Sequence, residues 1–366
     1  MLDQIFQYDA DATPTLAILS KRAAQMVAGS PKFLHLEDQP LPDKTTLSAN
    51  SNSTDTTLDV ATGTGKYFRA GDVVLLPTAA SVAAPGEIVL VSSVSTDTLT
   101  VVRNYTGDQT TGGAVVSADH IQIIGNTNAE FATARAEKTT TEASVTNYTQ
   151  IIRTPFSLSK TLDASSLYGG GDHTYQRRKA ATQHALECER AVLFGKPYED
   201  TTNIQRTTGG FLYWVTSNKV NANGTLTWPT VESLFSKVFR YGSRNKLMMM
   251  SRTVATQLDM IAEGRIVTST GATSYGVNIG TLQTTHGTLS TVIHDQLTND
   301  WDGYALVVDL DNIKLRYMRD SDGNRLGVLN TNIQAPDADG IRDEYLSEIG
   351  LQVMLESAHG VLYGVS

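Results

Sequence analysis

The chain has 366 residues, room for about two domains and a sizeable core. Hydrophobic residues make up 40% and charged residues 18%, a globular composition that excludes a disordered polymer. A formal net charge of −9 leaves no basic surplus for gripping nucleic acid, and the single cysteine excludes a disulfide framework or a multi-cysteine metal site.

Met1–Asp11 is acidic, unlike a basic leader, and no apolar run approaches the roughly 18 residues of a membrane span. Within residues 1–45, Thr13-Pro14 predicts a helix start and Gly29-Ser30-Pro31 its stop, with Leu16, Leu19, Ala23 and Met26 or Val27 as the apolar stripe. Pro40-Leu41-Pro42 reads as a linker. Residues 46–125 then change to Ser, Thr, Val and Gly, with short runs at Leu58–Val60, Val73–Leu76, Glu87–Val91, Thr98–Val102, Ala114–Val116 and Ile121–Ile124. Turn signals at Ala70-Gly71-Asp72, Pro85-Gly86 and Thr106-Gly107-Asp108 separate them, so this stretch predicts a small all-β insert of barrel type. Gly63-Thr64-Gly65-Lys66 invites a phosphate-loop reading, but Tyr67 stands where Ser or Thr is needed and Val60 where the first Gly is needed. A turn is the better account. Residues 126–165 read as an extended arm; its polar part, Asn126–Thr146, has too little apolar surface to fold alone. It carries Glu130, Arg135, Glu137, Lys138 and Glu142 as candidate interface charges.

Tyr148–Ser159 alternates, and Pro155 argues for an extended segment outside the centre of a sheet. Residues 166–207 hold a long helix. Gly169–Gly171 break the chain before it, Asp172 is a candidate cap, and Gly195 with Pro197 stops it. A helical wheel places Tyr175, Ala181, Thr182, Ala185, Leu186, Cys188, Val192 and Leu193 on a buried arc, with His184, Glu187 and Arg190 among the solvated positions. Leu186→Asp is then among the most damaging changes, and Cys188 is a buried hydrophobe rather than a nucleophile.

Residues 208–330 alternate helix and strand. Gly209–Trp214 reads as a glycine turn and aromatic strand; Val231, Leu234, Phe235, Val238 and Phe239 mark a helix begun near Pro229; Leu247–Met250 is a strand whose methionines fill core. Val254, Leu258 and Ile261 mark another helix, and residues 264–290 a loop or irregular hairpin. Asp302–Leu310 and Ile313–Arg319 are strands, the second joined to Arg325–Leu329 by a hairpin at Asp320–Asn324. That acidic spacing resembles a calcium loop, but Thr331 stands where the twelfth-position Glu belongs; Asp337–Gly340 is a weaker version, and no metal is assigned. Residues 331–366 return as strands, Tyr345–Glu356 and Gly360–Gly364. The seven histidines are scattered and no catalytic or cofactor motif is recognisable, so no enzyme activity and no cofactor are assigned.

Asn147-Tyr148-Thr149-Gln150-Ile151, Arg153-Thr154-Pro155 and the Gln176–Gly195 helix with Glu187-Cys188-Glu189-Arg190-Ala191 resemble the major head (capsid) proteins of tailed bacteriophages. The resemblance implies an α+β, Hong Kong 97-like fold. Residues 1–45 become the N-terminal arm, 46–125 the insert, 126–165 the extended loop, 166–207 the P-domain with its spine helix, 208–330 the A-domain, and 331–366 the returning strands. It implies self-assembly into hexamers and pentamers of an icosahedral shell in the virion, with portal, scaffold, protease, a decoration protein and packaged double-stranded DNA as partners. Assembly in the host cytoplasm and no membrane are expected. Arg153 joins the candidate interface charges, and Tyr175, Ala185, Leu186, Cys188, Val192 and Leu193 become the spine-helix core. The alternatives are a β-rich decoration or tail protein, a cellular nanocompartment shell of the same fold, and, last, an unfamiliar hydrolase.

Overall fold

The computed structural model describes residues 14–21, 25–76, 86–107, 114–164, 172–262, 269–270, 280–321 and 323–366. Met1–Asp11, Ala23, Pro85, Asp108, the Gly169–Gly171 break, the Asp172 side chain, Asp322 and much of 264–290, all used in the sequence reading, lie outside the described residues. The chain divides into two compact units, residues 36–143 and residues 1–35 with 144–366.

Unit 36–143 is a barrel. Its strands run in the order Lys44–Thr46, His120–Asn126, Asp72–Leu76, Glu87–Ser95, Thr98–Val102 and Thr57–Asp59, and a Leu47–Val60 bridge joins the two ends. Period-two alternation drives this closure: Leu58, Val74, Leu76, Val89, Val91 and Leu99 all point inward and are fully buried. Ala114–Val116, expected as a strand, supplies only the isolated Ser51–Val115 bridge. Asp119 Oδ2 accepts the Val116 N–H at 2.9 Å and turns the chain there. The phosphate-loop lookalike is filled by the protein's own anion. Gly63 N–H and Gly65 N–H donate to the two Asp97 carboxylate oxygens at 2.9 and 3.0 Å, and these bonds hold the Asp97 carboxyl below the usual range.

The other unit carries two large sheets, besides two-stranded pairs. One runs Met26–Val27, Ile313–Tyr317, Gly340–Val353, Gln150–Ser159, with Val328–Asn330 also pairing with Gly340–Val353. Gln150–Ser159 ends this row, which is why Pro155 is tolerated opposite Glu344. The second has seven strands in the order Lys219–Gly224, Gly360–Val365, Ala305–Val308, Asn245–Met250, Thr288–Ile293, Gly280–Gln283 and Ser269–Thr270. Helices Trp228–Val238 and Arg252–Ala262 place Leu234, Phe235, Val254 and Leu258 in one core with Met248, Met250, Leu289 and Val307.

Three local expectations change. The N-terminal helix is Pro14–Lys21, and Met26–Val27 is instead a strand parallel to Arg316–Tyr317, so Met26 and Val27 are exposed rather than part of a helical stripe. Phe211–Trp214 is a short helix, not a strand. Its entry is fixed by contacts distant in sequence: Gly210 N–H donates to Gly195 O at 2.8 Å, and Phe211 is buried edge-on to His359. The hairpin at Asp320–Asn324 joins only Arg319–Asp320 to Gly323–Asn324, because Val328–Asn330 pairs with Gly340–Val353.

The His359 ring is buried between backbone partners, accepting Asp309 N–H at 3.1 Å and donating to Met354 O at 3.0 Å. Burial lowers its pKa to about 4. The unfolded chain therefore takes up this proton near pH 6.5 while the folded chain refuses it until about pH 4, so the stability contribution is complete above pH 6.5 and lost as pH falls to about 4. Urea titrations are expected to show a loss of about 3 kcal/mol across that window, and the His359→Gln variant should lose that part of the slope.

Candidate functional site

The long helix is Asp172–Phe194, ended by Gly195. A side chain at Gly195 would collide with the carbonyls of Ala191 and Thr208, so only glycine lets the 208–210 turn pack against the helix end. The helix lies on the strand pair Gln150–Ser159 and Gly340–Val353, the register running from Gln150 opposite Ile349 to Ser159 opposite Gly340.

Its buried face differs from the wheel. Ala180, His184, Cys188, Glu189, Ala191, Val192 and Leu193 are buried, whereas Tyr175, Ala185 and Leu186 are half-buried in the single subunit. The wheel ranked Leu186 above the polar residues, but the strand pair offers hydrogen-bond partners, so polar side chains enter the seam. Leu186→Asp is thus a milder change than a polar substitution at Leu193, which is fully buried.

His184, assigned to the solvated arc, sits one turn before Cys188 inside this seam. Thr154 Oγ1 donates to Glu187 Oε2 at 2.7 Å, so it accepts from His184 Nδ1 at 2.9 Å, and His184 Nε2 then accepts from Ser347 Oγ at 2.7 Å. Desolvation lowers the His184 pKa against the pull of Glu187. Burial pushes the Cys188 thiol up to about 11, so it stays protonated and unreactive.

Farther along the helix, Glu189 is fully buried. Its two oxygens accept Thr15 N–H and Leu16 N–H, each at 2.8 Å, and His294 Nε2 lies 2.7 Å from Oε1. Because Gln296 N–H donates to His294 Nδ1, Nε2 is the ring's donor. The carboxylate thus satisfies free N–H groups of the N-terminal helix and opposes its dipole, pinning that helix to the long one. A sequence reading could have flagged Glu189 from its spacing, three before Val192 and four before Leu193.

Asn147 completes the seam from the other side and is also buried. Its amide nitrogen donates to Gly209 O at 3.0 Å and Leu351 O at 2.6 Å, while its oxygen accepts Gly209 N–H at 2.7 Å and Tyr148 N–H at 2.8 Å. One side chain therefore ties the incoming strand, the turn after the helix and the longest strand together.

The candidate interface charges separate into two groups. Arg135 Nη2 and Lys138 Nζ bind the two oxygens of buried Asp72 at 2.7 and 2.8 Å, and Arg153 Nη2 binds Glu344 at 2.8 Å. These three cations are paired within their own chain. Glu130, Glu137 and Glu142 are exposed and have no ion pair among the described residues. No cluster of three or more His, Cys, Asp or Glu able to hold a metal occurs among the described residues, and no helix is long and apolar enough to cross a membrane.

What this seam can do is mechanical: it ties a helix, two long strands and the N-terminal helix together through buried hydrogen bonds. The major capsid protein of Pseudomonas phage PaMx41 is 29% identical to this chain over 249 residues, covering 62% of the chain and 59% of that relative. Among solved structures, the capsid of an empty GTA particle covers 99% of this chain and 95% of its own at 12% identity, TM-score 0.49. The SrpI encapsulin of Synechococcus elongatus PCC 7942 covers 61% of this chain and 76% of its own at 12% identity, TM-score 0.46. The assignment rests on sequence: a model of the SU10 major capsid protein family matches residues 1–366, and the chain belongs to that family.

Proposed function

We infer that this chain is the shell-forming subunit of a phage head, copies of it closing into an icosahedral capsid around packaged double-stranded DNA. The family match over residues 1–366 carries the reading. The buried helix–strand seam supports it, since a shell subunit must transmit load between neighbours without deforming, and a net charge of −9 suits a wall that surrounds DNA without adhering to it. Hexamers and pentamers are the units of assembly, Glu130, Glu137 and Glu142 remain candidate contacts between copies, and portal, scaffold and decoration proteins are the expected further partners. The function needs no catalytic group.

Virions disrupted and assayed for protein and DNA test this against a nanocompartment shell. The expected result is that this chain is the most abundant protein of particles whose interior holds nuclease-protected double-stranded DNA. Particles built of this chain that contain protein cargo and no DNA would overturn it.

A further inference from the structure

Residues 127–142 carry no regular secondary structure and no buried side chain; Ala129, Ala132, Ala134 and Ala136 are exposed, and Phe131, at φ +60°, is fully exposed. Hydrophobic burial therefore does not hold this segment to the barrel. Polar contacts do, and the two ion pairs among them meet at one carboxylate. Asp72, 1% exposed, takes Arg135 on one oxygen and Lys138 with Arg69 N–H on the other, at 2.7, 2.8 and 2.8 Å. The Arg69 guanidinium donates to Glu137 O at 3.2 Å, and Thr127 N–H donates to Gly71 O at 2.9 Å. Nearer the end of the segment, Thr140 Oγ1 donates to Asp38 at 2.7 Å.

The seat is incompletely satisfied. Arg135 Nε is the one buried side-chain nitrogen or oxygen among the described residues without a hydrogen-bond partner. Ala136 also borders an open groove shared with Phe68, Val94 and Asp97. The barrel core, built from Leu58, Val74, Leu76, Val89 and Leu99, uses no residue of the segment. Attachment and folding thus rest on different residues.

We propose that residues 127–142 are a releasable strap, that Asp72 is its latch, and that the strap leaves its seat while the barrel stays folded. Released, the strap frees two cations and its fully exposed aromatic turn. The latched form holds them at fixed positions. This follows from the barrel alone and stands whether or not the chain forms shells.

Chymotrypsin cleavage after Phe131 in the full chain, followed by mass spectrometry, reads the strap directly, because a protease must draw several residues into an extended conformation. Asp72→Asn, and separately Arg135→Gln with Lys138→Gln, are expected to speed this cleavage at least tenfold while the β-sheet circular dichroism and the melting transition persist. The double variant leaves the barrel's own residues untouched and decides the matter where Asp72→Asn fails to fold. Unchanged cleavage in the double variant would overturn the proposal, as would faster cleavage accompanied by loss of the barrel's β signal.

Discussion

Glu189→Ala is expected to destabilise the unit containing the long helix by about 3–5 kcal/mol, since several hydrogen bonds to a buried carboxylate, each worth roughly 1.5–3 kcal/mol, are lost together. The change leaves Thr15 N–H, Leu16 N–H and His294 Nε2 without their acceptor in a site that excludes water. Two consequences separate this from an ordinary cavity. Hydrogen exchange of Thr15, Leu16 and the amides behind them should accelerate far more than exchange within Gln150–Ser159, because the N-terminal helix loses its anchor first. Glu189→Gln should recover only part of the loss, since its amide offers one acceptor oxygen where two N–H groups converge. Melting and exchange equal to the parent would show that the carboxylate is not what holds this helix.

Asn147→Ala should lower stability by about 3 kcal/mol, more than a single neutral hydrogen bond, because one deletion removes the acceptor of the Gly209 and Tyr148 N–H groups and a donor to the Leu351 carbonyl together, while the Gly209 carbonyl keeps Trp214 Nε1. Asn147→Asp is the sharper probe. It keeps the acceptor for Gly209 and Tyr148 but turns a carboxylate oxygen toward the Leu351 carbonyl, so it is expected to be as harmful as alanine or worse near neutral pH. Chemical denaturation of the two variants beside the parent checks both statements, and a loss of less than 1 kcal/mol for either would contradict the bridging role.

Apolar periodicity made much of this fold legible. The helices around Leu234 and Leu258, the Met248–Met250 strand and the strands of the barrel all follow from side chains that enter a core at period 3.6 or 2. The polar half of the long helix was not legible in that way. His184 looks like a surface residue on a wheel, the spacing of Glu189 sets a charge on the apolar side, and only partners far along the chain, Ser347, Thr15 and His294, make their burial affordable. Phe211–Trp214 failed as a strand for a related reason: its conformation is set by Gly195 and His359, not by its own aromatic composition. Arg135 and Lys138 stood out as charges in a polar arm, yet nothing local indicates that Asp72, more than 60 residues earlier, is their partner. Asn147 stood in the stretch that carries the family resemblance, but its bridging role became visible only once Gly209 and Leu351 were brought to it.

The central claim, that many copies of this chain close into a shell, is tested most directly by cryo-electron microscopy of particles purified from a producing lysate. The account predicts closed icosahedral particles whose repeating unit fits this chain, with the Asp172–Phe194 helix resolved in every subunit. A lysate in which this chain is intact and abundant but found only as monomers or dimers would contradict it.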